Sequence, residues 1–295
     1  MTDATGVPGF AERWATVKGT RLRYFVAGSG VPIVLVHGLG GSAANWADLA
    51  SSLARSFRVL APDLPGHGGS SPLPAVPNLN PFADRLAALL ELEAMTPAVC
   101  VGHSLGGVIA LRLSVRHPPL VQGLVLASSA GISSGTRRAR YAIGMLGIVR
   151  PGRYLAPFAE EIATRPLLRR LIFKWWGASD PASLSAASAK GFVAATRLHT
   201  DTLDAGFALA RDDPRQDLHR VEAPCLVICG ARDLMIPMTD NVEYARRLRA
   251  PLRLIPDTGH LLIGERPDAL LDAITGFVGG LSSPQVSSSR ASGAA

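Results

Sequence analysis

Short apolar runs rich in β-branched residues alternate along this chain with segments whose apolar residues recur at helical spacing. The runs predict strands buried on both faces, and residues 82–94, with Leu86, Leu89 and Leu90 on one side, typify the helices. This alternation predicts an α/β fold: a mostly parallel, eight-stranded sheet that carries helices on both faces. The predicted strands are residues 13–17, 21–26, 31–36, 57–61, 99–101, 121–127, 223–229 and 252–255.

The pattern changes after the sixth predicted strand. Residues 133–213 contain only helical patterns, and about 80 residues without a strand are too many for a simple crossover. We therefore expect a helical insertion that lies over the strand ends as a lid, although ordinary sheet-flanking helices are the alternative. The expected core is residues 1–132 and 214–281, and residues 282–295 are an expected disordered tail. The helical patterns of the insertion cover residues 138–148, 157–164, 166–176 and 184–210.

Composition narrows the class of protein. With 295 residues, 47% of them apolar, the chain is long enough for one large domain with an insertion. Its net charge of +7 comes mostly from arginines and forms no dense basic run, so we expect no nucleic-acid partner. The N-terminus lacks the pattern of a signal peptide, and no apolar run approaches the ~18 residues of a membrane span. The oligomeric state stays open.

The three cysteines, Cys100, Cys225 and Cys229, all lie in apolar runs. An odd number of cysteines in buried strands argues against a disulfide framework and favours a reducing, cytoplasmic environment. The pair Cys225 and Cys229 has no companion histidine or cysteine at ligand spacing, so we predict no metal site. We expect no cofactor.

The fifth predicted strand ends in the motif Gly102-His103-Ser104-Leu105-Gly106, which fits the G-x-S-x-G pattern of a nucleophile elbow. In an elbow the central residue sits at the tip of a tight turn, and small flanking residues let the neighbouring strand and helix approach. A plain glycine-rich loop is the alternative. The strand before the motif and the helical pattern after it favour the elbow, with Ser104 as the nucleophile.

A serine nucleophile needs a base within hydrogen-bond reach and an acid that orients the base. Asp233 follows the seventh predicted strand and His260 follows the eighth, so both are expected at the sheet edge that holds Ser104. Asp63 is the second candidate for the acid, but its loop position favours a structural role. The remaining histidines are interpreted as structural: His37, His67, His103, His117, His199 and His219.

Acyl transfer also needs N–H donors for the oxygen that becomes negatively charged. The backbone N–H groups of Leu105 and Leu39 are the candidates for this oxyanion hole, and loss of one such donor typically costs ~3 kcal/mol. Within the insertion, Phe173, Trp175 and Trp176 are candidates for lining an acyl pocket. The alternative is that these aromatic side chains pack the insertion on the sheet.

These motifs resemble those of the α/β-hydrolase fold superfamily, in its lid-bearing esterase and lipase-like branch, over about residues 31–277. The resemblance implies that Ser104, Asp233 and His260 are the nucleophile, acid and base. Serine at position 104 argues against haloalkane dehalogenases and epoxide hydrolases, which use aspartate there. Leu261, where carbon–carbon bond hydrolases often have tryptophan, weakens that possibility. The matching blocks are residues 37–41, 63–70, 102–107, 230–233 and 259–260.

The expected activity is therefore that of a serine hydrolase that cleaves a small, moderately apolar carboxylic ester through an acyl-enzyme intermediate. Two enzymatic alternatives on the same scaffold remain, carbon–carbon bond hydrolysis and enol-lactone hydrolysis. A third alternative, from another class, is a non-catalytic receptor for a small ligand.

Overall fold

The structure is a computed structural model, and it describes residues 6–134, 154–195 and 202–282. The helix predicted at residues 138–148 lies outside the described residues. The predicted tail does so as well, apart from Ser282, which ends the last helix.

In the described part of the chain, the strands form one eight-stranded sheet with the order β1-β2-β4-β3-β5-β6-β7-β8. β2 runs antiparallel to both of its neighbours, and all other adjacent pairs are parallel. The mostly parallel α/β sheet predicted from the sequence is thus confirmed. The strands are β1 (Ala11–Val17), β2 (Thr20–Ala27), β3 (Pro32–Val36), β4 (Arg58–Pro62), β5 (Ala98–His103), β6 (Val121–Ala127), β7 (Cys225–Gly230) and β8 (Leu252–Ile255).

Helices connect the parallel strands and cover both faces of the sheet. Those of the core are α1 (Ala47–Leu53), α2 (Asn80–Leu92), α3 (Leu105–Arg116), α8 (Met238–Leu248), α9 (Leu262–Glu265) and α10 (Pro267–Ser282). Between β6 and β7 lie α4 (Ala159–Thr164), α5 (Pro166–Trp175), α6 (Ala186–Ala195) and α7 (Thr202–Arg211). The sequence pattern predicted one helix over residues 184–210, whereas the described residues there form α6 and α7.

The central strands place side chains alternately in two apolar layers, as parallel strands buried on both faces must. Val34 and Val36 of β3 face the layer that contains α2 and α3. Ile33 and Leu35 face the layer that contains α1, α10 and most of the described insertion. The apolar side chains of the central strands are fully excluded from water in both layers. β3 and β5 therefore form a rigid base for the loops at their carboxyl ends.

Between residues 154 and 211, the described part of the insertion is helical and contains no strand. α4 packs against α5 and α6, and α6 also contacts α1 and the 3₁₀ turn Ala43–Trp46. Ala205 and Leu209 of α7 join the opposite layer, beside α3. Within the described part of the chain, no helix combines the length and the apolar character that a bilayer crossing needs.

Candidate active site

Ser104 lies at the turn between β5 and α3, in a backbone conformation of φ 54° and ψ −118°. A left-handed φ is unfavourable for a residue with a Cβ, so the surrounding structure must hold it in place. Gly102 and Gly106 make this turn possible. A Cβ on Gly102 would lie 2.3 Å from the Gly106 carbonyl oxygen, and one on Gly106 would lie 2.1 Å from the Val36 carbonyl oxygen.

The side chains of Ser104, His260 and Asp233 form one hydrogen-bonded chain. Ser104 Oγ lies 3.2 Å from His260 Nε2, and His260 Nδ1 lies 3.0 Å from Asp233 Oδ2. Each residue comes from a loop at the carboxyl end of a strand: Ser104 follows β5, Asp233 follows β7 and His260 follows β8. The structure therefore brings together three residues that the sequence predicted at one edge of the sheet.

Asp233 is held as a carboxylate. Burial raises its pKa, but the charge and hydrogen bond of His260 lower it more, helped by the backbone N–H groups of Ile236 and Met235. Those two groups donate to Asp233 Oδ1 at 2.9 and 2.8 Å. Because Asp233 stays ionised, its Oδ2 accepts a hydrogen bond from Nδ1–H of His260. This leaves His260 Nε2 free to accept the Ser104 hydroxyl proton.

The main chain around His260 is tied to two other segments. His103 Nε2 donates to the His260 carbonyl oxygen at 2.8 Å, and the His260 N–H donates to the Gly177 carbonyl oxygen at 2.8 Å. Burial, together with the nearby His260, lowers the pKa of His103 to about 3, so His103 is a neutral donor. Gly177 belongs to the insertion, which therefore contacts the histidine of the site directly.

The two candidate oxyanion donors follow two adjacent strands, β5 and β3. Leu105 is the first residue of α3, so its N–H has no acceptor within the helix. Leu39 lies in the loop after β3. His37 stabilises this loop, because its Nδ1 donates to the Gly38 carbonyl oxygen at 2.8 Å while its Nε2 accepts the Leu64 N–H at 3.0 Å. Their role as oxyanion donors stays a prediction.

Asp63, the second candidate for the acid, is fully buried and accepts the N–H groups of Ala43 and Gly69 at 2.8 Å each. Burial raises its pKa to about 6, although these hydrogen bonds and Arg23 act in the opposite direction. Its oxygens therefore stabilise two loops, while the hydrogen-bond partner of His260 is Asp233.

Two of the other described histidines, His67 and His117, have structural partners. His67 Nδ1 hydrogen bonds the Pro65 carbonyl oxygen at 3.0 Å, and burial lowers its pKa to about 4. His117 contacts Asp84 at 2.9 Å. His219 lies in a 3₁₀ turn after the insertion, and His199 lies outside the described residues.

The three aromatic residues proposed for an acyl pocket lie in different environments. Phe173 is fully buried and meets Trp176 and Phe192 edge-on, with ring centroids 5.5 and 6.2 Å apart. Trp175 is 66% exposed on the outer side of α5, beside Leu171. Phe173 thus packs the insertion internally, and a lining role for these residues stays a prediction.

Glu265 is a residue that the sequence did not single out. It is buried, and it accepts N–H groups from Gly259, which precedes His260, and from Ser179 and Asp180 of the insertion. In the sequence, the feature that could have marked Glu265 is its position directly after the apolar run at residues 261–264. Among the described residues, no group of three or more His, Cys, Asp or Glu side chains is arranged to hold a metal ion.

Comparison with known proteins agrees with this fold. A family model described as the alpha/beta hydrolase fold matches residues 31–267, well over half of the chain. The chain belongs to the α/β-hydrolase fold family. The enol-lactonase of Burkholderia xenovorans LB400 superimposes with a TM-score of 0.71 at 23% identity, covering 90% of this α/β-hydrolase and all of that chain.

Three curated relatives of this α/β-hydrolase carry different names. The dihydrolipoyllysine-residue acetyltransferase component of the acetoin cleaving system of Pseudomonas putida is 32% identical, covering 92% of this chain and 70% of that protein. The pimeloyl-[acyl-carrier protein] methyl ester esterase of Nitrosomonas europaea is 33% identical, over 79% and 90%. The 2-hydroxy-6-oxo-6-(2'-aminophenyl)hexa-2,4-dienoic acid hydrolase of Metapseudomonas resinovorans is 28% identical, over 91% of both.

Proposed function

We propose that the protein is a serine hydrolase that cleaves a carboxylic ester through an acyl-enzyme intermediate. The observation that carries this proposal is the hydrogen-bonded chain from Ser104 through His260 to Asp233. Ser104 Oγ attacks the ester carbonyl carbon while His260 Nε2 takes its proton, and Asp233 stabilises the imidazolium that forms. The backbone N–H groups of Leu39 and Leu105 bind the developing oxyanion.

In the steps that follow, His260 acts first as an acid and then again as a base. Protonated His260 gives its proton to the alcohol as the ester C–O bond breaks, which leaves the acyl group on Ser104 Oγ. Neutral His260 then removes a proton from water, the hydroxide attacks the acyl carbon, and the acid departs as Ser104 regains its proton. Every proton transfer passes through His260 Nε2, so the reaction needs no metal or cofactor.

The substrate we propose is a small, moderately apolar acyl ester that reaches the site beneath the insertion. The insertion acts as a lid in this proposal, and the contact between Gly177 and the His260 N–H supports that placement. The esterase from N. europaea supports ester cleavage by its printed name. We also propose a reducing, cytoplasmic location, supported by three free and buried cysteines.

Replacement of the nucleophile tests the proposal. In Ser104→Ala, hydrolysis of p-nitrophenyl acyl esters is expected to fall by roughly 10⁴-fold or more, because nucleophilic catalysis is lost. A fluorophosphonate probe is expected to label the wild-type protein on Ser104 and to leave this variant unlabelled. Ser56→Ala, at an exposed serine, is the matched control and should behave as wild type. Unchanged turnover by pure Ser104→Ala protein would reject the proposal.

Carbon–carbon bond hydrolysis is the second candidate, with enol-lactone hydrolysis as a related possibility. The M. resinovorans relative, matched over 91% of this chain, favours the first of these by its name. A vinylogous 1,5-diketone and an enol-lactone, each assayed beside p-nitrophenyl esters, separate the three activities by their products. If no substrate turns over and the probe does not label Ser104, a non-catalytic receptor becomes the better explanation.

A further inference from the structure

Three backbone N–H groups from two separate segments converge on the carboxylate of Glu265. Oε2 accepts the N–H groups of Ser179 and Asp180 at 2.9 Å each, and Oε1 accepts the Gly259 N–H at 3.1 Å. Ser179 and Asp180 belong to the insertion, whereas Gly259 belongs to the loop between β8 and α9. One side chain therefore joins the insertion to the loop that carries His260.

The position of Glu265 is chemically demanding. The residue is 2% exposed and ends an apolar turn, Leu262–Glu265, so its charge is removed from water. Burial raises its pKa above the usual value, even though the hydrogen bonds from Asp180, Gly259 and Ser179 and the charge of Arg266 act in the opposite direction. A buried carboxylate is retained only where such donors compensate for lost hydration. The three N–H groups that donate to the two oxygens offset part of this cost.

The loop held by Glu265 has little freedom to move. A Cβ on Gly259 would lie 2.2 Å from the Gly177 carbonyl oxygen, so the two backbones are already in close contact. The next residue, His260, donates its N–H to that same carbonyl oxygen, and its own carbonyl oxygen accepts His103 Nε2. The main-chain groups on both sides of the His260 Cα are therefore held by other segments.

We propose that Glu265 is a positioning residue. Its carboxylate clamps residues 177–180 of the insertion onto the loop of His260, and this clamp sets the distance between His260 Nε2 and Ser104 Oγ. The inference rests on the proposed function, because the position of His260 matters to the rate only if His260 transfers the proton. It also makes residues 177–180 a fixed anchor of the insertion, about which any motion of the remaining helices must occur.

The variant Glu265→Gln keeps the size of the side chain but replaces one acceptor oxygen with an NH₂ group. At least one of the three N–H donors then faces another donor, and the loop of His260 shifts. We expect kcat on a p-nitrophenyl ester and the rate of fluorophosphonate labelling of Ser104 both to fall by about 10- to 100-fold. KM should change by less than about threefold, because Glu265 does not touch the substrate.

Hydrogen exchange of the backbone amides gives a readout that does not depend on activity. In Glu265→Gln the amides of Ser179, Asp180 and Gly259 should exchange faster than in wild type, while the amides of β5 stay unchanged. Glu161→Gln makes the same chemical change at an exposed position of the insertion and should match wild type in every assay. Wild-type kcat and wild-type exchange in Glu265→Gln would overturn the proposal.

Two further outcomes are distinguishable. If wild type is never labelled by the probe, the proposed function fails, whereas the exchange data still decide whether the clamp exists. If Glu265→Gln does not fold, the hydrogen-exchange rates of the wild-type protein alone test the clamp. If one carboxylate holds all three amides, those of Ser179, Asp180 and Gly259 should open together. Their protection factors should then lie within about tenfold of one another. A larger spread among the three would overturn the clamp.

Discussion

At the scale of single residues, the site depends on protonation states that burial imposes. His103 lies directly before Ser104, its ring centroid is 4.9 Å from that of His260, and the residue is 4% exposed. A positive charge here would be buried and would face the His260 ring. The neutral form lets Nε2–H serve as a donor to the His260 carbonyl oxygen at 2.8 Å.

This environment predicts how stability changes with pH. Burial lowers the pKa of His103 from 6.5 to about 3, so between these values the unfolded chain binds a proton that the folded protein does not. Stability is therefore lost as pH falls below 6.5, by up to about 1.4 kcal/mol per pH unit. In His103→Gln, which keeps an N–H donor, the loss between pH 7 and pH 5 should be smaller by about 2 kcal/mol. Urea unfolding at both pH values measures this difference, and equal losses in the two proteins would contradict it.

At the scale of secondary-structure elements, the elbow depends on how closely α3 approaches β3 and β5. A Cβ on Gly106 would lie 2.1 Å from the Val36 carbonyl oxygen and 2.5 Å from that of His37. Both neighbours are backbone atoms of a fully buried strand end, so neither can rotate away. The helix N-terminus that presents the Leu105 N–H would have to move instead.

Alanine at position 106 is therefore expected to be severely destabilising. Gly106→Ala should lower the free energy of unfolding by about 3 kcal/mol or more and abolish labelling of Ser104. Gly276→Ala, within α10, is the matched control, because a Cβ there meets nothing within 4 Å. That variant should gain about 0.5–1 kcal/mol, since alanine favours a helix interior over glycine. Thermal or urea unfolding compares the two variants, and a Gly106→Ala protein as stable as wild type would contradict the expected clash.

The elements themselves were largely predictable, for a physical reason. A strand buried on both faces must be apolar throughout, so β3, β5, β6 and β7 stood out from the sequence as short apolar runs. The alternation of strands and helices also predicted the edge of the sheet at which each loop lies. The short helix α9 was missed, because its four residues are too few to show a helical period.

Contacts between distant segments were not predictable in the same way. The partners of Glu265 are backbone N–H groups, which every residue except proline carries, so no sequence pattern marks Ser179, Asp180 or Gly259. The sequence also did not reveal that Trp175 is exposed, because apolar residues of α5 lie on both the inner and the outer side of the helix. The sequence therefore predicted which residues meet in the candidate site, whereas the residues that hold them in place became visible only in the fold.

At the scale of the whole molecule, the chain returns from the insertion to the sheet beside α3, the helix that begins directly after Ser104. Arg112 of α3 fixes this return. Its guanidinium donates to both oxygens of Asp212, at 2.6 and 3.1 Å, and also to Asp217. Burial raises the pKa of Asp217, but the hydrogen bonds and charges of Arg112 and Arg220 lower it more. The carboxylate of Asp212 is almost fully enclosed, with 5% of its side chain exposed.

Removal of Arg112 should therefore loosen the insertion from the core. Arg112→Met keeps an apolar stem but leaves the buried Asp212 carboxylate without its cation, so the free energy of unfolding should fall by about 3 kcal/mol. Arg116, one turn later in α3, makes an equally direct bidentate pair with Asp84 at 2.8 and 2.9 Å, but its side chain is 37% exposed. Arg116→Met should cost no more than about 1 kcal/mol, because water already screens that pair. Urea unfolding of both variants measures the contrast. Equal small losses would show that burial does not strengthen the Arg112 pair.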